Sequence, residues 1–172
     1  MAAGLGKRMR SKRVKVLHRV AGHPMVLYAV DLALQTAGHR IAVVVGHQAE
    51  DVRQAIQTGI VEKAGAESVA IVEQVEQLGT GHAVLQSRPV FFGTKEPRPT
   101  NYLILNGDTP LLKERTVREL LRVHQAEGAT VTILTAVLEK PDGYGRVIRR
   151  QPSGNHQGGP EVLSYCLERL WL

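Results

Sequence analysis

The 172-residue chain is 43% hydrophobic and 22% charged, which suits one soluble α/β-sized domain or part of a larger one. No apolar run approaches the roughly 18 to 20 residues of a membrane helix, and no signal-type apolar core opens the chain. The single cysteine, Cys166, rules out an internal disulfide framework, so a reducing cytoplasm with no membrane contact is the expected setting.

The net charge of +6 is unevenly spread, with Lys7, Arg8, Arg10, Lys12, Arg13, Lys15 and Arg19 all in the first nineteen positions. Between them lies Ala2-Ala3-Gly4-Leu5-Gly6, a turn whose glycines let backbone N–H groups approach a polyphosphate while the cations neutralise it. A nucleic-acid-binding arm is the rival reading. The basic cluster lacks aromatic residues for base stacking, and aromatics make up only 4% of the chain, so no nucleic-acid partner is expected.

Pro24 opens a helix carried by Met25, Val26, Ala29, Val30, Leu32 and Ala33 as far as Gly38. Ile41 to Val45 reads as a buried strand ending at Gly46, and Ala49 to Gln57 as a crossover helix. Ser68 to Val72 is a second strand, and Gly79 to Gln86 starts a helix with Ala83 and Val84 inward. Gly93 to Pro99 is a loop by composition. Tyr102 to Leu105 reads as a third buried strand before Asn106-Gly107-Asp108, and Glu114 to Glu127 as a helix through Val117, Leu120, Leu121 and His124. Thr130 to Val137 reads as a fourth strand and Arg146 to Ile148 as a short edge strand. From Gln151 the chain turns polar and glycine-rich, and the last twelve residues suggest a short helix through Val162, Leu163, Leu167 and Leu170. Alternating strands and helices imply a mostly parallel sheet covered on both faces, with ligands at the carboxyl ends of its strands.

The chemistry-bearing residues gather after those strand ends. Asp108 is a candidate metal ligand, because Mg²⁺ takes oxygen ligands and commonly one or two carboxylates plus substrate phosphates; a turn or helix cap explains it equally well. The run from Gln74 to His82 can read a base edge through its amides, or serve only as a glycine loop entering a helix. His82 reads as a helix-start residue rather than a catalytic base. The turn from Pro141 to Arg146 is a hairpin or a lid over a sugar. Cys166 reads as an incidental thiol, and neither a zinc cluster nor a nucleophile elbow occurs.

Five segments, A-A-G-L-G-K-R-M at 2–9, K-V-L-H-R-V-A-G-H-P-M at 15–25, E-Q-L-G-T-G-H-A at 76–83, N-G-D-T-P-L-L at 106–112 and P-D-G-Y-G-R at 141–146, together resemble the sugar nucleotidyltransferases. Within them they are most similar to the N-terminal uridylyltransferase domain of the bacterial bifunctional N-acetylglucosamine-1-phosphate uridylyltransferases. The resemblance covers residues 1 to about 150 and implies a Rossmann-like, nucleotide-diphospho-sugar transferase fold. It also implies transfer of uridylyl from UTP to N-acetylglucosamine 1-phosphate with Mg²⁺, releasing pyrophosphate. By the same resemblance Met1, Ala2, Ala3 and Gly4 line uracil and ribose, and Arg8 and Lys15 grip the phosphates. Gln74, Gly79 and Thr80 hold the uracil; Asn106, Gly107 and Asp108 sit at the nucleotide, with Asp108 on magnesium. Gly145 contacts the sugar. A non-catalytic nucleotide-binding module is the alternative.

The sequence departs from the family in several places. Met1 stands where leucine is usual, and Val14 where proline precedes the lysine, which is expected to loosen the approach of Lys15. The strand expected ahead of Ala2 is missing. Residues 151–172 do not follow the family, and the second magnesium ligand and the trimer-building acetyltransferase half have no counterpart. The expectation is a truncated piece, with a partial nucleotidyltransferase domain at 1–150 and a divergent tail at 151–172, that retains UTP affinity and turns over slowly or not at all.

Overall fold

The computed structural model describes residues 1–4, 6, 9, 11–36, 40–61, 63, 65–93, 97–136, 139, 147–149 and 163–165. They fall into two compact units, residues 1–132 and 133–172.

In the first unit a 3₁₀ turn at Lys15–Leu17 leads into a small hairpin, β1 (Arg19–Val20) and β2 (His23–Pro24). Ala21 and Gly22 connect its strands, both with positive φ, as a two-residue turn between twisted strands requires. Helix α1 (Met25–Thr36) follows Pro24 directly and turns Met25, Val26, Leu27, Val30 and Leu32 inward. Strand β3 (Ile41–Val45) and strand β4 (Val69–Glu73) pair in parallel, Ile41 opposite Val69 and Val45 opposite Glu73, joined through helix α2 (Ala49–Ile60). Helices α3 (Thr80–Gln86), α4 (Arg88–Phe92) and α5 (Glu114–Ala126) complete this unit.

The side chains of β3 divide between two faces, as the period of a strand dictates. Ile41, Val43 and Val45 join Val26, Leu27 and Val30 of α1 and Val52, Ile56 and Ile60 of α2 in the main core. Val44 points the other way and packs with Ala3 and Ala83 of α3. Helices therefore cover both faces of a parallel pair, which is the Rossmann-like arrangement. The core residues that fill it are β-branched at the sheet and tightly enclosed: Val45, Val52 and Ile56 are each fully buried.

The chain's first residues enter this sheet. Ala2 bridges Val45 in parallel, with Ala2 N–H donating to Val44 O at 2.7 Å. On its other side Met1 donates from its amino group to Leu105 O at 2.6 Å, and Gly107 N–H donates to Met1 O at 2.7 Å. Met1–Ala2 thus lies between β3 and residues 105–107, and Gln74 N–H extends the ladder by donating to Val45 O at 2.7 Å. Four chain segments end side by side: Glu73–Gln74, Val45–Gly46, Ala2–Ala3 and Asn106–Asp108.

Three sequence expectations are corrected. Residues 102–105 form no strand, and Tyr102 and Ile104 are about half exposed, at 47% and 55%. A strand needs a neighbouring backbone along its length, and among the described residues only Met1 hydrogen-bonds this run; Tyr102 is held instead by ring contacts with Phe91 and Phe92. Residues 131–136 likewise carry no regular structure, with Val131 exposed. Leu163–Tyr165, read as part of a terminal helix, is instead a strand (β6) of the second unit, antiparallel to β5 (Val147–Arg149). The β-branched edge strand expected around Val147 explains this, because a short strand is stable only with a partner.

Candidate nucleotide site

The basic turn at the start of the chain is built against Lys15. Gly6 adopts φ +60°, and a Cβ there would stand 2.8 Å from Lys15 Cβ, so only glycine lets the turn close over the lysine. Lys15 itself rides on a 3₁₀ turn anchored by buried Val16 and Leu17. Its Nζ meets Asp108 Oδ2 at 2.6 Å, with the carboxylate side chain only 9% exposed.

Valine before the lysine does not loosen this approach. Val14 is buried, and its N–H donates to Gln48 Oε1 at 2.6 Å, a bond that proline could not make. Gln48 also donates from Nε2 to Lys12 O at 3.0 Å. It holds left-handed backbone, φ 54°, at the start of α2 while doing so. A glutamine in that conformation braces the basic loop from the neighbouring strand end. Nothing in the sequence marks Gln48, because its partners lie 34 and 36 residues away.

The other edge of the site is the loop after β4. Gln74 is buried, and its Nε2 donates to Gly79 O at 3.1 Å and faces His82 Nδ1 at 3.0 Å. Gln77 folds back to donate to Gln74 O and lies over Gly46, where a Cβ would be 2.5 Å from Gln77 Nε2 and 2.8 Å from Ala3 O. Gly79 has φ +98°, a conformation suited to glycine, and Thr80 begins α3, whose Ala83 packs on Ala3. On the far side Gly107 leaves room for Met1 O, 3.0 Å from where its Cβ would be, and Thr109 Oγ1 donates to Asn106 O.

Met1, Ala2, Ala3, Lys15, Gln74, Gly79, Asn106, Gly107 and Asp108 are therefore linked by direct contacts or short chains of contacts at one end of the sheet. Gly4 and Thr80 adjoin them on exposed backbone. Arg8 and Gly145, with the turn at 141–146, lie outside the described residues. Asp108 follows residues 106 and 107 rather than a regular strand, and the Met1–Gly107 bond does the positioning that a strand end was expected to do.

The electrostatics centre on one carboxylate. Burial lowers the Met1 amino group to about 6, the negative charge of Asp108 partly opposing the shift. An amine lowered in this way is neutral in the fold and protonated in the unfolded chain between pH 6 and 8. Unfolding then takes up a proton, so stability rises with pH across that window and flattens above it. For the 172-residue chain, a rise of about 2 to 3 kcal/mol from pH 5.5 to 8.5 is expected in urea unfolding. Acetylating the amino terminus should remove that rise; an unchanged slope after acetylation would assign it to other groups.

The fold and the cluster at its carboxyl end define a nucleotidyltransferase domain, and the chain belongs to the MobA-like NTP transferase domain family, whose model matches residues 1–150. It is 46% identical to the bifunctional protein GlmU of Thermoanaerobacter pseudethanolicus over 90% of this chain and 31% of that protein. Identity to the GlmU proteins of Geobacter metallireducens and Thermus thermophilus is also 46%, over 100% and 98% of this chain and 37% and 33% of theirs. The chain spans about a third of the length of the curated relatives it matches. The resemblance carried by the five motifs is borne out.

Nucleotidyltransferases of this kind use a divalent metal, and the donor set here suits one delivered with a nucleotide. Asp108 offers a partly buried carboxylate with one oxygen on Lys15, and no group of three or more His, Cys, Asp or Glu side chains placed to hold a metal ion occurs among the described residues. A resident metal cage needs several protein oxygens, whereas Mg²⁺ bound to a nucleotide takes phosphates and water for most of its shell. The single carboxylate fits the second case.

Proposed function

We propose that the chain binds UTP with Mg²⁺ and transfers its uridylyl group to N-acetylglucosamine 1-phosphate, giving UDP-N-acetylglucosamine and pyrophosphate. A phosphate oxygen of the sugar 1-phosphate attacks the α-phosphorus, and the bond from that phosphorus to the bridging oxygen of pyrophosphate breaks. Two anions must meet in line, so the protein's task is alignment and charge neutralisation rather than proton abstraction. The observation that carries this reading is the Lys15–Asp108 pair at 2.6 Å, closed over by Gly6 and abutting Met1 and Gly107 at the sheet's carboxyl end.

In this reading Arg8 and Lys15 are the catalytic cations on the phosphates. Met1 to Gly4 and Asn106-Gly107 line the nucleoside, Gln74, Gly79 and Thr80 hold the uracil, and Gly145 meets the sugar. Asp108 would hold the magnesium, which offsets the phosphate charge when bound. Lys15 trades part of its contact with Asp108 for the phosphates. Residues 1–150 form the nucleotidyltransferase part, residues 151–172 stand outside it, and a cytoplasmic setting follows from the substrates. Among the described residues no helix is long and apolar enough to cross a membrane.

The test is pyrophosphate release from UTP and N-acetylglucosamine 1-phosphate with Mg²⁺, run beside UTP binding. Release that requires both substrates and stops with a chelator is the expected result. UTP binding without release would favour a nucleotide-binding module, and failure to bind UTP would overturn the reading.

A further inference from the structure

Resting on the uridylyl reading, we infer that His82, held by Gln86, is a positioning residue that sets which edge of the Gln74 carboxamide meets the base. Gln74 Nε2 faces Gly79 O at 3.1 Å and His82 Nδ1 at 3.0 Å. A carbonyl oxygen only accepts, so the Gly79 contact fixes which end of the carboxamide points inward. The second N–H of the same amide then donates to His82 Nδ1, which must carry no proton.

A neutral imidazole with a bare Nδ1 is protonated on Nε2. Gln86 Nε2 lies 2.9 Å from that nitrogen and 3.5 Å from His82 O, so for the ring N–H to donate, the Gln86 carboxamide must exchange its ends and present its oxygen to the ring. Gln86, His82 and Gln74 form a directed chain: Nε2–H of the ring donates outward, Nδ1 accepts, and both N–H groups of Gln74 are consumed inside the protein. The relay is local to one helical turn, because His82 and Gln86 are four residues apart on α3 and share a face.

Gln74 Oε1 is what remains. Among the described residues it makes no hydrogen bond, and no buried side-chain polar atom among them lacks a partner, so this oxygen meets solvent although the residue as a whole is 3% exposed. A buried glutamine thus shows the site one hydrogen-bond acceptor and no donor. Such an acceptor pairs with the imino N–H of uracil. Cytosine presents a bare ring nitrogen at the same place, and two acceptors would face each other. The base preference of the site is set by a side chain that does not touch the base.

The experiment compares the affinities of UTP and CTP, each with Mg²⁺, for the full chain and two variants, and reads the imidazole tautomer of His82 by ¹⁵N NMR in the free protein. The full chain is expected to prefer UTP by about tenfold, the size of one hydrogen bond to a base edge. His82→Leu removes the acceptor and releases the Gln74 amide, so the preference falls to near one. In His82→Asn the amide oxygen replaces Nδ1 and the preference returns. A His82→Leu variant that keeps the full UTP preference overturns the inference, as does a ring protonated on Nδ1, whatever the nucleotide results. A full chain that binds neither nucleotide while its ring is protonated on Nε2 overturns the uridylyl reading and leaves the relay itself standing.

Discussion

Asp108→Asn is expected to lower the proposed Mg²⁺-dependent uridylyl transfer by about two to three orders of magnitude, the usual cost of removing one preorganised charge from a transition state. The asparagine is nearly isosteric and still accepts a hydrogen bond from Lys15, so the shape of the site survives and its charge does not. Because Lys15 Nζ is 2.6 Å from Oδ2, the substitution also removes the negative charge that the ammonium meets at this point. The two side chains act as one device, and Lys15→Ala combined with Asp108→Asn should cost little more than either alone. Pyrophosphate release and urea unfolding, measured together, separate the effects. Stability should drop by only about 1 to 2 kcal/mol. A variant transferring within threefold of the parent would remove Asp108 from the mechanism.

Gly6→Ala is expected to reduce transfer by about a hundredfold, through displacement of Lys15 rather than loss of any polar group. Two costs combine at this position. The backbone is left-handed, which strains an alanine by about 1 to 2 kcal/mol. The new methyl would sit 2.8 Å from Lys15 Cβ and 3.4 Å from Lys15 N, so backbone as well as side chain must move. Gly22→Ala provides the comparison: it has φ +86° but nothing within 4 Å of its Cβ. It should therefore lose only the part of the stability that left-handed strain accounts for and keep its rate. Equal rates for the two variants would show that the turn does not position the lysine.

Much of this architecture is legible along the chain. Ile41 to Val45 is a continuous apolar run, β-branched at four of its five positions, between a helix and a glycine, and that pattern suits a strand buried on both faces. The helices at Met25–Thr36, Ala49–Ile60 and Glu114–Ala126 follow from apolar residues at helical spacing. The proposed phosphate turn is legible because its glycines and cations are adjacent in sequence, and the five motifs in order give the family. Tyr102–Leu105 and Thr130–Val137 read equally well as strands, yet residues 102–105 and 131–136 carry no regular structure, since pairing depends on a neighbour that apolar composition does not reveal.

The amino-acid order by itself determined the local elements, the family and the residue types at the site, because periodicity, turn chemistry and contiguous motifs are all short-range. Tertiary structure alone decided that Lys15 reaches Asp108 across 93 residues, that Gln48 braces the basic loop and that Met1 lies between β3 and Gly107. These are single hydrogen bonds and ion pairs between distant segments. Their partners are chosen by how the sheet brings strand ends together, and no spacing along the chain records that choice.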